Sequence, residues 1–485
     1  MKKFNYKRKK YQPYKLYIPE NLNIDELILN NPLPVGIHRD QLVYILHLIN
    51  SIPANINDFN FVLNRGFTPI LKQALANRIH GYRKCMDYLI ANSIIKEGTN
   101  YVPTLYSRGI KFRKKYRTKV APIYITNQPL IKSIVTKKHS VDIVAMDKLK
   151  FLIDNFNSYL TIDMIAVKAY LDNDLETSFK KYTANQHLIG IYSHCIDEIV
   201  MMGYNAKFIN ASNLNNKDKV KIDTTAGRLH SSLVRLKKEL RPYVKYADNT
   251  LCNIDLVNSQ PLLSTILLDA DLFISNGIHD LIAKYNPNFN YDSNMNIEQQ
   301  DNLAGSLIRL IKHNSKKEDV IAFKQHVHDG AFYEEFGNIL KRRDLLPVEI
   351  KGNKDQGLQS KAIRKYAKKA VFESFFSKPN AHRHSNSIKA FKECFPHVYQ
   401  IFSLVKQGKG EYNTLACVLQ RFESDLILHK ACTKIHELYP NVLLYTIHDS
   451  IVTTLENQHI VKEILVRIVA EVLNVEPKIN VEMWQ

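Results

Sequence analysis

The stretch Leu443–Thr454, LLYTIHDSIVTT, constrains the fold more than any other part of the chain. Leu443, Leu444, Tyr445 and Ile447 form an apolar run that predicts a strand entering the polar point His448-Asp449-Ser450. Ile451, Val452, Thr453 and Thr454 are all β-branched and lead away from it as a second strand. The pattern is a hairpin with a carboxylate at its tip. A carboxylate held on a rigid tip can bind a divalent cation, provided a second acid arrives from another strand. Taken alone, His448-Asp449-Ser450 is more simply a turn closed by an Asp.

The candidate second acid is Asp255, in Leu251–Thr265, LCNIDLVNSQPLLST. It lies inside an apolar, strand-like run, and Pro261 is expected to open a helix. A half-buried Asp with no cation beside it in sequence is costly unless it meets a metal or hydrogen-bond donors. Two carboxylates side by side repel each other. One or two magnesium ions between Asp255 and Asp449 would satisfy both charges, with manganese as a substitute, and that is the minimum for two-metal phosphoryl transfer.

Charge says what such a centre would act on. Lys and Arg number 67 against 47 Asp and Glu, a net charge of +20. Such a surplus favours a polyanionic partner, most often nucleic acid. The six cysteines are scattered and form no CxxC pair, so a disulfide framework or zinc knuckle is not expected. A reducing, cytoplasmic location is. No run reaches the length of a membrane span, and the basic start MKKFNYKRKKYQPYK has no apolar segment behind it, unlike a secretory signal. Residues 1–34 read as a basic arm that lies on phosphates or simply solubilises the chain.

Residues 35–120 read as one compact unit. Asp40–Ile52 has helical apolar spacing, Thr68 and Pro69 fit the N-cap and first position of a second helix, and Arg78–Ser93 is a third. A strand at Tyr101–Tyr106 and a basic strand (Lys111, Arg113, Lys114, Lys115, Arg117) follow. That is the order of a winged helix, whose wing lies on phosphates; a helical protein-docking unit with a basic face is the alternative. Residues 140–220 read as helices, clearest at Asp142–Tyr159 and Ile162–Leu171. Asp174-Leu175-Glu176 there is read as a solvated face. A polar linker, 213–221, precedes Thr225-Ala226-Gly227-Arg228-Leu229-His230-Ser231, where small residues allow close approach to a sugar-phosphate. Arg235, Lys237, Lys238 and Arg241 follow as a basic stretch. In Lys361–Phe376, Arg364, Lys368, Phe372 and Phe376 are spaced by four along one helix face. Two cations and then two aromatics can hold a triphosphate at one end and stack a base at the other. A last helix, Thr414–Leu438, carries Gln420 and Asp425.

In this order the motifs resemble those of the family A DNA polymerases and their relatives, the single-subunit phage-type RNA polymerases. AGRLHS at 226–231 resembles the primer-contact stretch. Asp255 matches the metal-binding Asp of motif A, and Arg364, Lys368, Phe372 and Phe376 match motif B. Gln420 and Asp425 match the Q-x4-D helix, and His448-Asp449 motif C. The resemblance spans 224–485. It implies an α+β right-hand polymerase, with palm and fingers in 224–485, a helical, thumb-like 140–220 and the winged-helix-like unit in front.

The resemblance also implies roles. Asp255, Asp449 and the Leu256 carbonyl would bind two magnesium ions, and Arg364 and Lys368 would clamp the triphosphate. Lys368 would protonate the leaving group. Phe372, Phe376 and Gln260 would line the nucleotide pocket, and Arg228, Gln420 and His448 would contact the template–primer. Three positions depart from the family pattern: Phe376-Ser377 for Tyr-Gly, Gln260 for a Glu, and Ser450 for a Glu. The expected activity is DNA-directed DNA polymerisation without a proofreading exonuclease, on a DNA template–primer with nucleoside triphosphates, as in replication of a phage or mobile element. The rival readings are a primer-independent RNA polymerase or primase-like synthase, and a non-catalytic nucleic-acid-binding replication factor.

Overall fold

A computed structural model describes residues 11–53, 67–98, 109–136, 141–185, 196–216, 220–292, 295, 300–351, 356–408 and 411–485. The chain is mixed α+β and mostly helical. The strand expected at 101–106, and the first ten residues of the expected arm, lie outside the described residues.

The N-terminal unit is larger than 35–120. Tyr14–Pro19 (β1) runs antiparallel to Val120–Ile125 (β5) in register from Tyr14↔Ile125 to Pro19↔Val120. Leu16 and Ile18 are buried with Ile125, Leu130 and Ile131 in the same core as the helix Arg39–Ser51. Tyr14–Pro19 of the expected arm is therefore a core strand, whose partner lies too far along the chain for a local pattern to reveal it, and Ile24–Asn30 is a helix.

Thr68 does not cap a helix. Thr68–Pro69 is a short strand (β2) beside Gly109–Phe112 (β4), which also pairs with Ile95–Glu97 (β3). The buried Thr68 hydroxyl donates to the Ile49 carbonyl at 2.8 Å, and the helix starts later, at Lys72–Ala76. Gly109 is required there, because a Cβ would come within 2.4 Å of the Phe67 Cβ.

The unit is docked through two of the charges expected to lie on phosphates. Lys111 Nζ and Arg117 Nη2 lie 3.3 and 3.6 Å from the buried Glu198 carboxylate, on the helix Ile196–Ala211. Asn205 of that helix donates to Asn50 and to the Thr118 carbonyl. Lys119 pairs with Asp172 at 2.7 Å. Lys111 and Arg117 thus serve docking, while Arg113, Lys114 and Lys115 do not appear in these pairs and Lys114 and Lys115 are exposed.

Behind the unit, the expected helix at Asp142–Tyr159 is two short helices, Ile143–Lys148 and Lys150–Asp154, followed by the strand Leu160–Ile162 (β6). Asp142 caps the first by accepting from the Ala145 amide. Asp174 and Glu176 lie on the long helix Met164–Asn185; Asp174 pairs with Lys207 and Glu176 with Lys180. Lys221–Ile222 (β7) and Leu229–His230 (β8) form a small hairpin.

The central sheet places the acids. Val244–Tyr246 (β9) joins β6 to Asn249–Leu256 (β10). β10 pairs antiparallel with Ser450–Thr454 (β12) and with Ile479–Met483 (β13), and β12 with Tyr445–Ile447 (β11). Leu251, Cys252, Ile254, Ile451 and Val452 are essentially fully buried, and because neighbouring residues of a strand point to opposite faces, both faces of the sheet are covered here. The helix Gln458–Leu473 packs on β10 and β12. The helix Gln356–Phe376 is anchored by Phe375, which lies in an aromatic cluster with Phe391 and Phe402.

Candidate active site

Strand register brings the two acids together. Asp255 pairs with Ser450, the residue after Asp449, so the carboxylate leaving β10 sits beside the one at the hairpin tip. Ile447↔Ser450 closes the hairpin on a turn of His448 and Asp449, and His448 takes φ +54°, a left-handed conformation. That costs a non-glycine residue about 1–2 kcal/mol. Backbone strain of this kind clusters at functional sites. Ser450 is buried, and its hydroxyl donates to the Ile447 carbonyl at 2.8 Å. It therefore has a structural task in closing the turn.

The electrostatics are those of a carboxylate pair short of cations. Burial first, then the neighbouring Asp449, pushes the Asp255 carboxyl up to about 7, with Lys368 and Arg241 pulling the other way. Neither acid forms an ion pair with a basic side chain among the described residues. Among those residues no group of three or more His, Cys, Asp or Glu gathers to hold a metal. The donor set is two carboxylates and whatever backbone and ligand oxygens join them.

The face of the helix Gln356–Phe376 carries the four expected residues. Arg364 and Lys368 are exposed, while Phe372 and Phe376 are half-buried with ring centroids 5.5 Å apart. Lys368 Nζ lies 5.7 Å from the centroids of both Tyr333 and Phe372. Its charge reaches Asp255. Arg364 pairs with Glu334 and sits 5.5 Å over the Tyr333 ring. Tyr333 is buried, and its hydroxyl pKa is raised by burial and by Asp449, with Arg364 opposing. Sequence reasoning missed Tyr333: it sits just after a loop-like Asp-Gly, and only the fold turns it toward the cations.

The second omission is Glu423. It is fully buried and receives the Arg228 guanidinium, the Gln260 side-chain amide and the Ser259 hydroxyl, the last at 3.1 Å. Burial raises its pKa, Arg228 lowers it and Asp449 raises it again. Two expected contact residues, Arg228 and Gln260, are thus held by one carboxylate. In sequence Glu423 is one polar position in an amphipathic helix, with no signal of its own.

Arg228 is presented by the β7–β8 hairpin, which Asp223 staples by accepting from the Ala226 and Arg228 amides and bonding His230 at 2.8 Å. Gly227 has φ +68°, and a Cβ there would fall 2.5 Å from an Arg421 nitrogen, so the sequence needs glycine. His448 is exposed at the hairpin corner, and Gln420 is half-buried one turn before Glu423. Asp425 pairs with Arg421 at 3.1 Å and begins a π-helical segment, Asp425–Cys432, inside the expected long helix. Leu256 follows Asp255 in β10 and pairs with Ile479.

No family profile matches the sequence, and no curated protein matches it. Among solved structures, the chain is similar to the POL domain of Pol1 from M. smegmatis in complex with DNA primer-template and dNTP. The TM-score is 0.35 at 10% sequence identity, over 88% of this chain and 81% of that chain. The likeness is distant. Among the described residues no helix is long and apolar enough to cross a membrane.

Proposed function

We propose that the chain is a template-directed nucleotidyltransferase, a DNA polymerase of the family A type without proofreading, working by a two-metal mechanism. One observation carries the reading: the antiparallel register that sets Asp255 beside Asp449, with no ion-pair partner for either among the described residues. The donor chemistry fits magnesium, which is usually held by one or two carboxylates plus substrate phosphates and water. Asp255, Asp449 and the Leu256 carbonyl are the groups that would hold it. Bound there, the metal supplies neutralisation of the triphosphate charge and a lowered pKa at the attacking hydroxyl.

The chain's own residues do the rest. The exposed Lys368 and Arg364 receive the triphosphate, Arg364 exchanging Glu334 for a phosphate. Lys368, whose field already reaches Asp255, is the donor to the leaving pyrophosphate oxygen. Phe372 and Phe376 offer an aromatic wall to the base and sugar. Arg228, held by Glu423, faces the growing end together with His448 and Gln420, and Gln260, held by the same carboxylate, lines the nucleotide pocket. The net charge of +20 suits a nucleic-acid template–primer.

Primer extension on a primed DNA template, with magnesium and either dNTPs or NTPs, tests the reading. The expected result is extension with dNTPs by the wild type and none by Asp255→Asn. Robust extension with NTPs alone would turn the reading to an RNA polymerase. Nucleic-acid binding without any incorporation would turn it to a non-catalytic factor.

A further inference from the structure

A cavity of about 390 Å³ opens between the helices Met164–Asn185 and Ile196–Ala211 and the segment Val234–Arg241, and neither Asp255 nor Asp449 is in its wall. Part of the wall is apolar and aromatic, from Leu175, Ile199, Val200 and Tyr204. Another part is basic, from Arg235, Lys237, Lys238 and Arg241.

Most of the cations are accounted for. Lys207 is held by Asp174 at 2.8 Å and more loosely by Glu239 at 3.8 Å. Lys238 pairs with Glu482 at 2.7 Å, and Arg241 approaches the same carboxylate at 3.9 Å. Arg235 and Lys237 have no carboxylate partner among the described residues. Arg235 is half-buried, and burial lowers its guanidinium pKa with no acid to oppose it. The Arg241 Nε is buried without a hydrogen-bond partner. A guanidinium taken partly out of water without a counter-charge is costly, and an anion in the cavity would relieve it. The planar fork of Arg matches phosphate oxygens in particular. An apolar, aromatic wall beside it suits a flat base, and the volume lies within the range of small-molecule sites, roughly 300–1,000 Å³.

We propose that this cavity binds a free nucleotide, with its phosphates on Arg235 and Lys237 and its base against the Leu175 and Tyr204 wall, independently of the acid pair. Pro53 of the N-terminal unit also lines it, so the occupant touches the N-terminal unit, the long helices and the segment leading into the central sheet.

The test is fluorescence anisotropy of a fluorescently labelled ATP titrated with the full chain in EDTA, which removes divalent cations and so silences the acid pair. The expected result is saturable binding that is unchanged in Asp255→Asn. In Arg235→Met it should weaken about tenfold, the loss of one charge-assisted contact. Lys237→Ser changes an exposed side chain and should weaken binding several-fold, which keeps the test decisive should Arg235→Met fold poorly. Unlabelled ATP should compete better than either tripolyphosphate or adenosine. Equal affinity in both variants and the wild type would overturn the proposal. So would binding that needs magnesium and Asp255, which would assign the nucleotide to the acid pair. Competition by a single-stranded oligonucleotide but not by ATP would make the cavity a groove for a nucleic-acid backbone, and would also overturn it.

Discussion

The acid pair and the N-terminal docking face are both built from charged groups brought together across long stretches of chain, and they treat charge in opposite ways. At the docking face the charges are answered: the buried Glu198 has Lys111 and Arg117, and the more exposed Lys119 has Asp172. At the central sheet two carboxylates are placed side by side, and the nearest cations, Lys368 and Arg241, act only at a distance. Paired charge fixes one part of the molecule to another. Unpaired like charge costs stability. The lesson for basic proteins is that a positive stripe in sequence is weak evidence for a nucleic-acid contact until its carboxylate partners have been sought. Two of the five residues of the expected phosphate-binding wing turn out to be structural.

Five substitutions would break or sharpen that contrast. The largest effect is expected at the acid pair. Asp255→Asn and Asp449→Asn should each lower magnesium-dependent incorporation by more than about 100-fold, exceeding the loss typical of an outer-shell partner. Neither should lower the thermal midpoint in EDTA, because each relieves a repulsion. A large loss of stability in either variant would mean that these acids are paired after all.

At the docking face the same operation should do the reverse. Glu198→Ala strands two partly buried cations and should cost about 3 kcal/mol, read by chemical denaturation. The loss should come with early proteolytic release of the N-terminal unit. A change within experimental error would show that the ion pairs are incidental to docking.

Lys406→Met tests how the helix Gln356–Phe376 is held. The Lys406 ammonium is buried, and donates to the Ser374 and Ser377 carbonyls at 2.7 and 3.1 Å, at the C-terminal end of Gln356–Phe376. Burial pushes its pKa down to about 8, with no carboxylate to answer it. Losing both bonds should cost about 2 kcal/mol and raise the KM for nucleotide more than it lowers kcat. An unchanged KM would separate that helix end from substrate binding.

The smallest effect is expected at Asp223. Burial pushes its carboxyl up, but His230 and the Ala226 and Arg228 amides outweigh it and bring it down to about 2, from 3.8. Its folded pKa lies below its unfolded one, so its contribution is present above pH 3.8 and is lost as pH falls toward 2. Asp223→Asn should flatten that acid limb by about 1 kcal/mol, after allowing for partial exposure. A steeper limb in the variant would contradict the assignment.

Local patterns were enough to find the hairpin and the helix Gln356–Phe376. Alternating apolar and β-branched residues around His448-Asp449, and four-residue spacing from Arg364 to Phe376, need no knowledge of distant partners. Features that depend on such partners were out of reach. The strand Tyr14–Pro19 sits in a basic stretch and is a strand because Val120–Ile125 pairs with it. Thr68-Pro69 has the chemistry of a helix start, but burial of the Thr68 hydroxyl on the Ile49 carbonyl wins over capping. Glu423 acquires its place from Arg228, Ser259 and Gln260, none of them near it in sequence. Asp255 was legible as an acid inside an apolar strand-like run and Asp449 as the acid at a hairpin tip, whereas the pairing of Asp255 with Ser450 that joins them depends on the fold.

The most direct test of the account is a manganese titration followed by electron paramagnetic resonance, in which bound ions leave the free-ion signal. The wild type should bind manganese, and both Asp255→Asn and Asp449→Asn should weaken that binding by at least about tenfold. Equal binding by all three proteins, or a loss in only one variant, would contradict a metal centre shared between β10 and the hairpin tip.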